Sequence, residues 1–485
     1  MTTENRARWL AFAVLCLGSF MIVLDTTIVN VALPSIRTDL GFTESSLAWV
    51  VNAYMLFFGG FLLLGGRLAD IYGHRRLFLG GIAVFTAASL AAGLSSSQAI
   101  LIAARAAQGL GGAVVSAAGL SLMMTLFSKP ADFAKAMGIV GFISAGGGSV
   151  GVLLGGILTS VLGWHSVFAV NIPVGIAVVV ASLRLIPDRR PAAYGARIDI
   201  AGAVTVTSSL MLAVYAIVNG NEAGWTSGQT VGLIGTAVAL FAAFIVIEWR
   251  VSDPLMPLSL FRRRNLATAN VMGVLWAAAM FAWFFLSALY LQLVLRYEPL
   301  QVGLAFLPGN VLMAIFSVGI SAKLVMRYGV QKPLATGLGL AGLGLLLLVR
   351  APIDGGYAID VLPSMLLLGV GAGIAFNPML IVAMTDVEPE RSGLASGLVN
   401  TSFMMGGALG LAILASLAAA TTSGAIASGV TSAAALTDGY HAAFAAGAAF
   451  ALIAAILGAK VLRVGAAAPA LQADHGESGY AAAAD

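Results

Sequence analysis

The chain has 485 residues, 60% of them hydrophobic and 9% charged, with mean hydropathy +0.97 and a formal net charge of +4. Soluble domains run at about 45–50% apolar and about 25% charged, so a chain this long with so few charges could not cover a water-facing surface. That excludes a soluble enzyme, a disordered scaffold and a nucleic-acid binder, and reads as an all-α integral membrane protein. The single cysteine, Cys16, excludes a disulfide framework and a Cys-based zinc site. His74, His165, His441 and His475 are scattered, so no metal site is expected.

A membrane helix needs about 20 mostly apolar residues. In chain order, such runs are predicted near 9–33, 47–66, 77–95, 98–124, 137–160, 166–186, 199–219, 230–248, 266–294, 300–322, 333–350, 360–383, 393–418 and 440–462. The breaks between them carry charge or turn signals, as at Arg67–Arg76, Arg250–Arg264 and Lys323–Lys332. Run 393–418 is rich in glycine (Gly393, Gly397, Gly406, Gly407, Gly410), which suits helices whose backbones approach closely. The first run follows Arg6 and Arg8 like a signal peptide. It is too long for one, contains Asp25 and lacks a small-residue cleavage site before Pro34, so it is read as a retained span.

Placing the N-terminus in the cytoplasm puts 21 of the 25 Lys and Arg residues on the inner side. Only Arg37, Arg296 and Arg350 fall outside, and Arg105 lies within a span. Basic loops stay cytoplasmic, so this split predicts an even number of spans with both termini inside. It also accounts for the pI near 9.3 by topology, without a nucleic-acid partner. Residues 464–485, Ala-rich with few anchors, are expected to be a disordered cytoplasmic tail.

The stretch from Gly66 to Arg76, containing Tyr72-Gly73, recurs more weakly from Ser321 to Lys332, containing Tyr328-Gly329, at an offset of 256 residues. Two repeated halves around a midplane site are a common plan for secondary transporters. Six spans on either side leave two as an insert, a 6+2+6 arrangement. The predicted units are residues 1–8, a half at 9–186, the insert with its flanks at 187–265, a second half at 266–463, and the tail.

Four motifs carry a resemblance. Gly66-x-Leu68-Ala69-Asp70-x-x-Gly73-x-Arg75-Arg76 lies after the second span, and Leu24-Asp25-Thr26-Thr27-Ile28-Val29-Asn30 lies in the first. Arg105-Ala-Ala-Gln108-Gly109 lies in the fourth, and Trp164-His-Ser-Val-Phe168-Ala-Val-Asn171-Ile-Pro173 opens the sixth. Together, over roughly residues 9–463, they resemble the major facilitator superfamily and, within it, the fourteen-span drug:proton antiporters. The resemblance implies a latch at Gly66, Asp70, Gly73, Arg75 and Arg76. In the fifth span the family's usual proline is replaced by Val152, while Gly147, Gly151, Gly155 and Gly156 keep the small-residue packing stripe. Any kink there must come from Gly146–Gly148.

Asp25 is the one acidic residue clearly at membrane depth, and Arg105 is the matching base. A mid-helix charge costs about 2.5–3.5 kcal/mol on insertion scales, so each should face a partner or a wet cavity. Counted from the outer ends of their spans they lie about 13 Å and about 10 Å deep, so a facing pair is possible. Gln108 shares the face of Arg105 and could orient the pair. Two readings stand: a static ion pair, or a carboxylate that binds a proton in alternation with cargo. Thr26, Asn30, Asn52, Trp276, Trp283, Tyr290, Asn310, Asn377 and Asn400 are the candidate cavity residues, each also explicable by packing; the two tryptophans, seven apart, share a helix face.

The expected function is proton-driven export of lipophilic, often cationic drugs across a bacterial cell (inner) membrane by a monomer, with no cofactor beyond the proton-motive force. A dedicated exporter of one secondary metabolite or lipid is the alternative on the same fold. A channel and a membrane enzyme fit less well: there is no GxSxG, no Walker sequence, no metal cluster and no ring of repeated polar residues.

Overall fold

The computed structural model describes residues 3–127, 130–186, 199–252, 254–385 and 392–462. The predicted tail and the basic residues Lys129, Arg189, Arg190, Arg197, Arg391 and Arg463 lie outside the described residues. The long elements among the described residues are helices: α1 (Thr3–Leu40), α2 (Trp49–Tyr72), α3 (His74–Gly93), α4 (Gln98–Leu126), α5 (Pro130–Leu162), α6 (Ser166–Leu185), α7 (Ile200–Ala223) and α8 (Gly228–Arg250). Then follow α9 (Arg264–Val294), α10 (Pro299–Tyr328), α11 (Gln331–Leu348), α12 (Tyr357–Met384), α13 (Ser392–Ala427) and α14 (Ser432–Lys460). Among the described residues thirteen helices are long and apolar enough to cross a membrane. The predicted run 137–160 falls on α5, whose described apolar part is Gly146–Leu162.

The ends follow from local chemistry. Ser97 accepts a hydrogen bond from the Ile100 amide at the start of α4, and Asp199 accepts one from the Gly202 amide at the start of α7, each supplying a partner to an amide that has none within the helix. The turn between α2 and α3 pivots on Gly73 at φ 98°, and the turn between α10 and α11 on Gly329 at φ 76°. Both are left-handed positions that glycine adopts without steric cost.

Helices α1–α6 and α9–α14 pair in the same pattern. In the first set α1 packs on α4, α5 and α6, α4 packs on α2 and α3, and α3 packs on α6. In the second, α9 packs on α12, α13 and α14, α12 packs on α10 and α11, and α11 packs on α14. Glycines mark the matching crossings. Gly81 and Gly111 bring α3 against α4, and Gly337 and Gly371 do the same for α11 and α12. Gly109 lies against the Tyr54 carbonyl of α2, as Gly369 lies against the Gly309 carbonyl of α10. The two sets meet along two seams, α2 with α13 and α5 with α10, while α7 and α8 pair with each other and α7 lies across the first seam.

At one end the sets are closed against each other. Gly303 of α10 approaches the Val152 carbonyl of α5, so the position lacking proline is itself a seam contact. The Leu300 amide donates to Ser160 Oγ, and Gln292 Nε2 donates to the Val31 carbonyl. Helix α5 continues without a break through Gly146–Gly148 and packs Gly147, Gly151 and Gly155 on α1, while Gly156 faces α10. Toward the other end, which carries Arg67, Arg75 and Arg76 and is called the basic end below, a cavity of about 680 Å³ lies between the sets.

Two predictions follow from this packing. A Cβ at Gly111 would stand 2.8 Å from the Gly81 carbonyl oxygen and 2.8 Å from the Phe85 amide, and backbone cannot step aside. Gly111→Ala should therefore cost roughly 1–3 kcal/mol, whereas Gly80→Ala, which meets nothing within 4 Å, should be neutral; thermal melting of detergent-purified protein separates the two. At the closed end, burial pushes the Glu44 carboxyl above its ordinary value, with Arg37 and Tyr440 pulling it down less strongly. A raised carboxyl means that the folded state holds more protons, so stability should fall as pH climbs from the usual carboxylate range through the raised value. Melting curves across that window should show the slope in wild type and a flatter one in Glu44→Gln.

Candidate functional site

Five helices of the first set converge on one buried ion pair. Asp25 of α1 and Arg105 of α4 are both inaccessible, at 0% and 1% exposure, and Arg105 Nη1 donates to Asp25 Oδ2 at 2.5 Å. Asp25 Oδ1 accepts from Gln108 Nε2 at 3.0 Å and from Asn171 Nδ2 of α6 at 2.8 Å. Gln108 also accepts from Arg105 Nη1 and bonds the Ser89 hydroxyl of α3. Arg105 Nε donates to the Val50 carbonyl of α2, and the guanidinium lies 4.5 Å from the Tyr54 ring centroid. The pairing of Asp25, Arg105 and Gln108 expected from depth and helix face is thus present in the structure, together with three partners that the motifs did not mark as such: Asn171, Ser89 and Tyr54. Asn171 lay within a quoted motif, and an amide inside an apolar span was the available signal.

Taking two charges out of water costs several kcal/mol per ion, recovered only when geometry and further hydrogen bonds are good. Here the carboxylate has three donors and the guanidinium has two carbonyl-type acceptors, the carboxylate and an aromatic face. Among the described residues the second set carries nothing equivalent. With Gly109 matched to Gly369 and Gly111 to Gly371, Arg105 and Gln108 correspond to Met365 and Leu368, and with Gly81 matched to Gly337, Ser89 corresponds to Leu345.

The cavity lies beside this pair. Ile22, Val23 and Thr26 line it on α1, Tyr54, Phe58 and Leu62 on α2, and Asn400 and Met404 on α13. Tyr54 both lines the cavity and stacks under Arg105, so this ring touches the ion pair on one side and the cavity on the other. Gly66, Arg67 and Asp70 line the cavity toward the basic end.

The candidate residues sort by where the cavity reaches. Thr26 and Asn400 line it; Asn30, Asn52, Trp276, Trp283, Tyr290, Asn310 and Asn377 do not. Trp276 and Trp283 are packed in the core of the second set, Trp283 with its ring 4.4 Å from Phe284. Tyr290 donates to the Pro352 carbonyl, Asn377 to the Ser317 carbonyl and Asn30 to the Thr26 carbonyl. Asn52 and Asn310 are buried with both amide atoms unpartnered. For Asn30, Asn52, Asn310, Trp283 and Tyr290 the reason is positional, since the cavity occupies the basic half and they lie toward the closed end; Asn377 and Trp276 lie deeper and are instead taken up by contacts within the second set. Of the latch residues, Asp70 lies 3.8 Å from His74, and Arg75 Nη2 donates to the Leu183 carbonyl of α6. Both partners belong to the first set.

Two matched sets of helices closing at one end around a cavity define a membrane transporter. The family model of the Major Facilitator Superfamily matches residues 15–411, and the chain belongs to that family. It is similar to the cephamycin export protein of Amycolatopsis lactamdurans, 39% identical over 427 residues that make up 87% of each chain. It is also similar to the puromycin resistance protein of Streptomyces alboniger, 37% identical over 89% of this chain and 86% of the relative. The multidrug resistance protein Stp of Mycobacterium tuberculosis is 38% identical over 86% of this chain and 77% of its own length. The protein is a multi-pass transporter of the bacterial cell membrane.

Removing one member of a buried pair strands the other. Arg105→Ala should destabilise the protein by roughly 3–5 kcal/mol. Asp25→Asn keeps an oxygen for Gln108 and Asn171 but leaves the Arg105 charge, which arginine cannot shed, buried without its counter-ion, so it should also cost roughly 3–5 kcal/mol. Midpoints of thermal unfolding measured side by side test this, and a loss in either variant no larger than that of Gly80→Ala would contradict it.

Proposed function

We propose that the protein is a proton-coupled exporter of lipophilic, often cationic compounds. The observation that carries this reading is a buried carboxylate, Asp25, set one aromatic ring away from a cavity with mostly apolar lining. Three relatives named for antibiotic or multidrug export and resistance support the cargo class.

On this reading fourteen helices cross the membrane in the order six, two, six, with both termini and the basic end in the cytoplasm, and the protein works as a monomer. The structure then corresponds to the inward-facing state. Cargo enters the cavity from the cytoplasm or inner leaflet and lies against Tyr54, Phe58, Thr26 and Asn400. A proton bound at Asp25 weakens its hold on Arg105, while an ionised Asp25 restores the pair, so proton and cationic cargo compete for one charge balance. Opening of the closed end exposes Trp276, Trp283, Tyr290, Asn52 and Asn310. The unpartnered amides favour this, since each buried polar group without a bond costs about 1–3 kcal/mol until the other state supplies one. Asp70, whose present partner is His74 in its own loop, re-forms its contact across the basic end when that end shuts. One proton moving through 100 mV supplies about 2.3 kcal/mol, which sustains roughly a fortyfold gradient of cargo.

A second reading, a dedicated exporter of one secondary metabolite, has its own support in the relatives named for cephamycin and puromycin. Inverted vesicles carrying the full chain and energised with a proton gradient distinguish the two. Wild type should accumulate rhodamine 6G, and Asp25→Asn, at equal protein level, should fall to the rate seen after the gradient is collapsed. Undiminished uptake by Asp25→Asn would remove Asp25 from coupling; a wild type that moves no dye would favour the dedicated exporter.

A further inference from the structure

The α7–α8 hairpin lies outside both helix sets, and its obvious role is packing. Helix α7 covers the α2–α13 seam: Asn221 Nδ2 donates to the Ser416 carbonyl and hydroxyl of α13, and Thr207 lies against Gly60 of α2. The chain leaving α8 does something more. Leu255 is buried at 4% exposure in a cluster with Leu64 of α2 and Ala203 of α7, yet it also lines the cavity, alongside Leu62 and Leu63 of α2 and Gly397 and Asn400 of α13. The next residue, Met256, packs against the cluster formed by Val206 of α7, Phe244 of α8 and Met405 of α13. The two consecutive side chains thus face different groups of residues, and of the two Leu255 lines the cavity.

The loop is held there by specific bonds. The Met256 amide donates to Glu248 Oε2 at 2.9 Å, which ties the loop back to the end of α8. Glu248 is buried, and its other oxygen and Asp199 Oδ2 both lie beside Gly202, so the end of α8 and the start of α7 share one tight junction.

We propose that the loop after α8 is part of the cargo site, with Leu255 forming the cavity wall between α2 and α13 and touching the lipophilic compound being carried, and with Glu248 as its positioning residue. This rests on the export reading given above, which makes the cavity the cargo path. Leucine supplies apolar contact without direction, and its neighbours Leu62, Leu63 and Met404 are of the same kind, so the wall selects by size and shape. Changing its bulk should then alter the preference among cargoes more than the maximal rate.

The test uses the full chain in inverted vesicles with two cationic dyes of different bulk, ethidium and rhodamine 6G. Leu255→Ala and Leu255→Trp should shift the ratio of kcat/KM between the dyes in opposite directions by roughly three- to tenfold, the scale of a lost or gained apolar contact. Glu248→Ala should shift it as Leu255→Ala does, whereas Glu248→Gln, which keeps an acceptor for the Met256 amide, should behave as wild type. Ratios within twofold of wild type in both Leu255 variants overturn the proposal. Leu255→Cys gives a readout that does not depend on transport: a water-soluble maleimide added at the cytoplasmic face should label position 255, located by peptide mass spectrometry with Cys16 retained, and rhodamine 6G should slow it. Absence of labelling overturns the wall position, and labelling that a transported dye does not slow overturns cargo contact. A wild type that moves neither dye overturns the export reading and cargo contact with it, while the maleimide reaction still decides where Leu255 lies.

Discussion

The structure depends on the cost of keeping Asp25 and Arg105 out of water. A buried ion pair is tolerable only when every remaining lone pair and proton finds a partner, and a half-satisfied network is worse than an apolar core. Satisfying this one therefore requires α1, α2, α3, α4 and α6 to arrive together, each with one group: Asp25, the Val50 carbonyl, Ser89, Arg105 with Gln108, and Asn171. The five helices are thereby tied to one another through a single network of side chains, and sliding any of them would leave part of it without partners.

The second set is packed by other means. Its glycine-marked crossings reproduce those of the first, but Met365, Leu368 and Leu345 stand at the positions of Arg105, Gln108 and Ser89, and its centre is filled by Trp276, Trp283 and Phe285. The backbone repeat is therefore preserved while the chemistry is not. The buried ion pair is thus confined to one set, and the matching place in the other is apolar. The seams divide the labour in a similar way. Gly303, Leu300, Val152 and Ser160 make backbone-close contacts between α5 and α10 at the closed end, whereas the α2–α13 contact at Gly59 relies on the flexible side chains Met404 and Met405.

Much of this was legible before any coordinates, and the legible parts share a cause. Hydropathy marks spans because every backbone group in a bilayer must be satisfied within a helix, so length and apolarity alone place the helices. Asp25 and Arg105 stood out because a charge at membrane depth demands an explanation, and their similar depth made a facing pair possible. The repeated Tyr-Gly turn marked the internal duplication because Gly73 and Gly329 hold the same left-handed conformation. What sequence could not distinguish was which polar or aromatic residue faces the cavity. Trp283 and Phe58 are both large aromatics on apolar helices, yet one fills a core and the other lines the cavity, a difference made by the position of the void and not by residue type. Asn171 and Ser89 were missed for a related reason: as single small polar groups they acquire meaning only once α3 and α6 are placed beside Asp25.

The α7–α8 hairpin shows how a duplicated plan becomes one-sided. Helices α2 and α10 occupy matching places, but most of the α2 span is buried and little of the α10 span is, because α7 lies over α2 and no helix does the same for α10. The π-helical turn at Phe316–Ile320 in α10 accordingly contains no buried residue, and the Ser317 carbonyl within it is satisfied by Asn377 of α12. The cavity follows the covered side: Leu255, from the chain leaving α8, lines it together with residues of α2 and α13, and among the described residues none of α10 does. The α7–α8 hairpin is therefore what makes the two matching seams differ, since on the α2–α13 side it adds a wall that neither repeated half supplies.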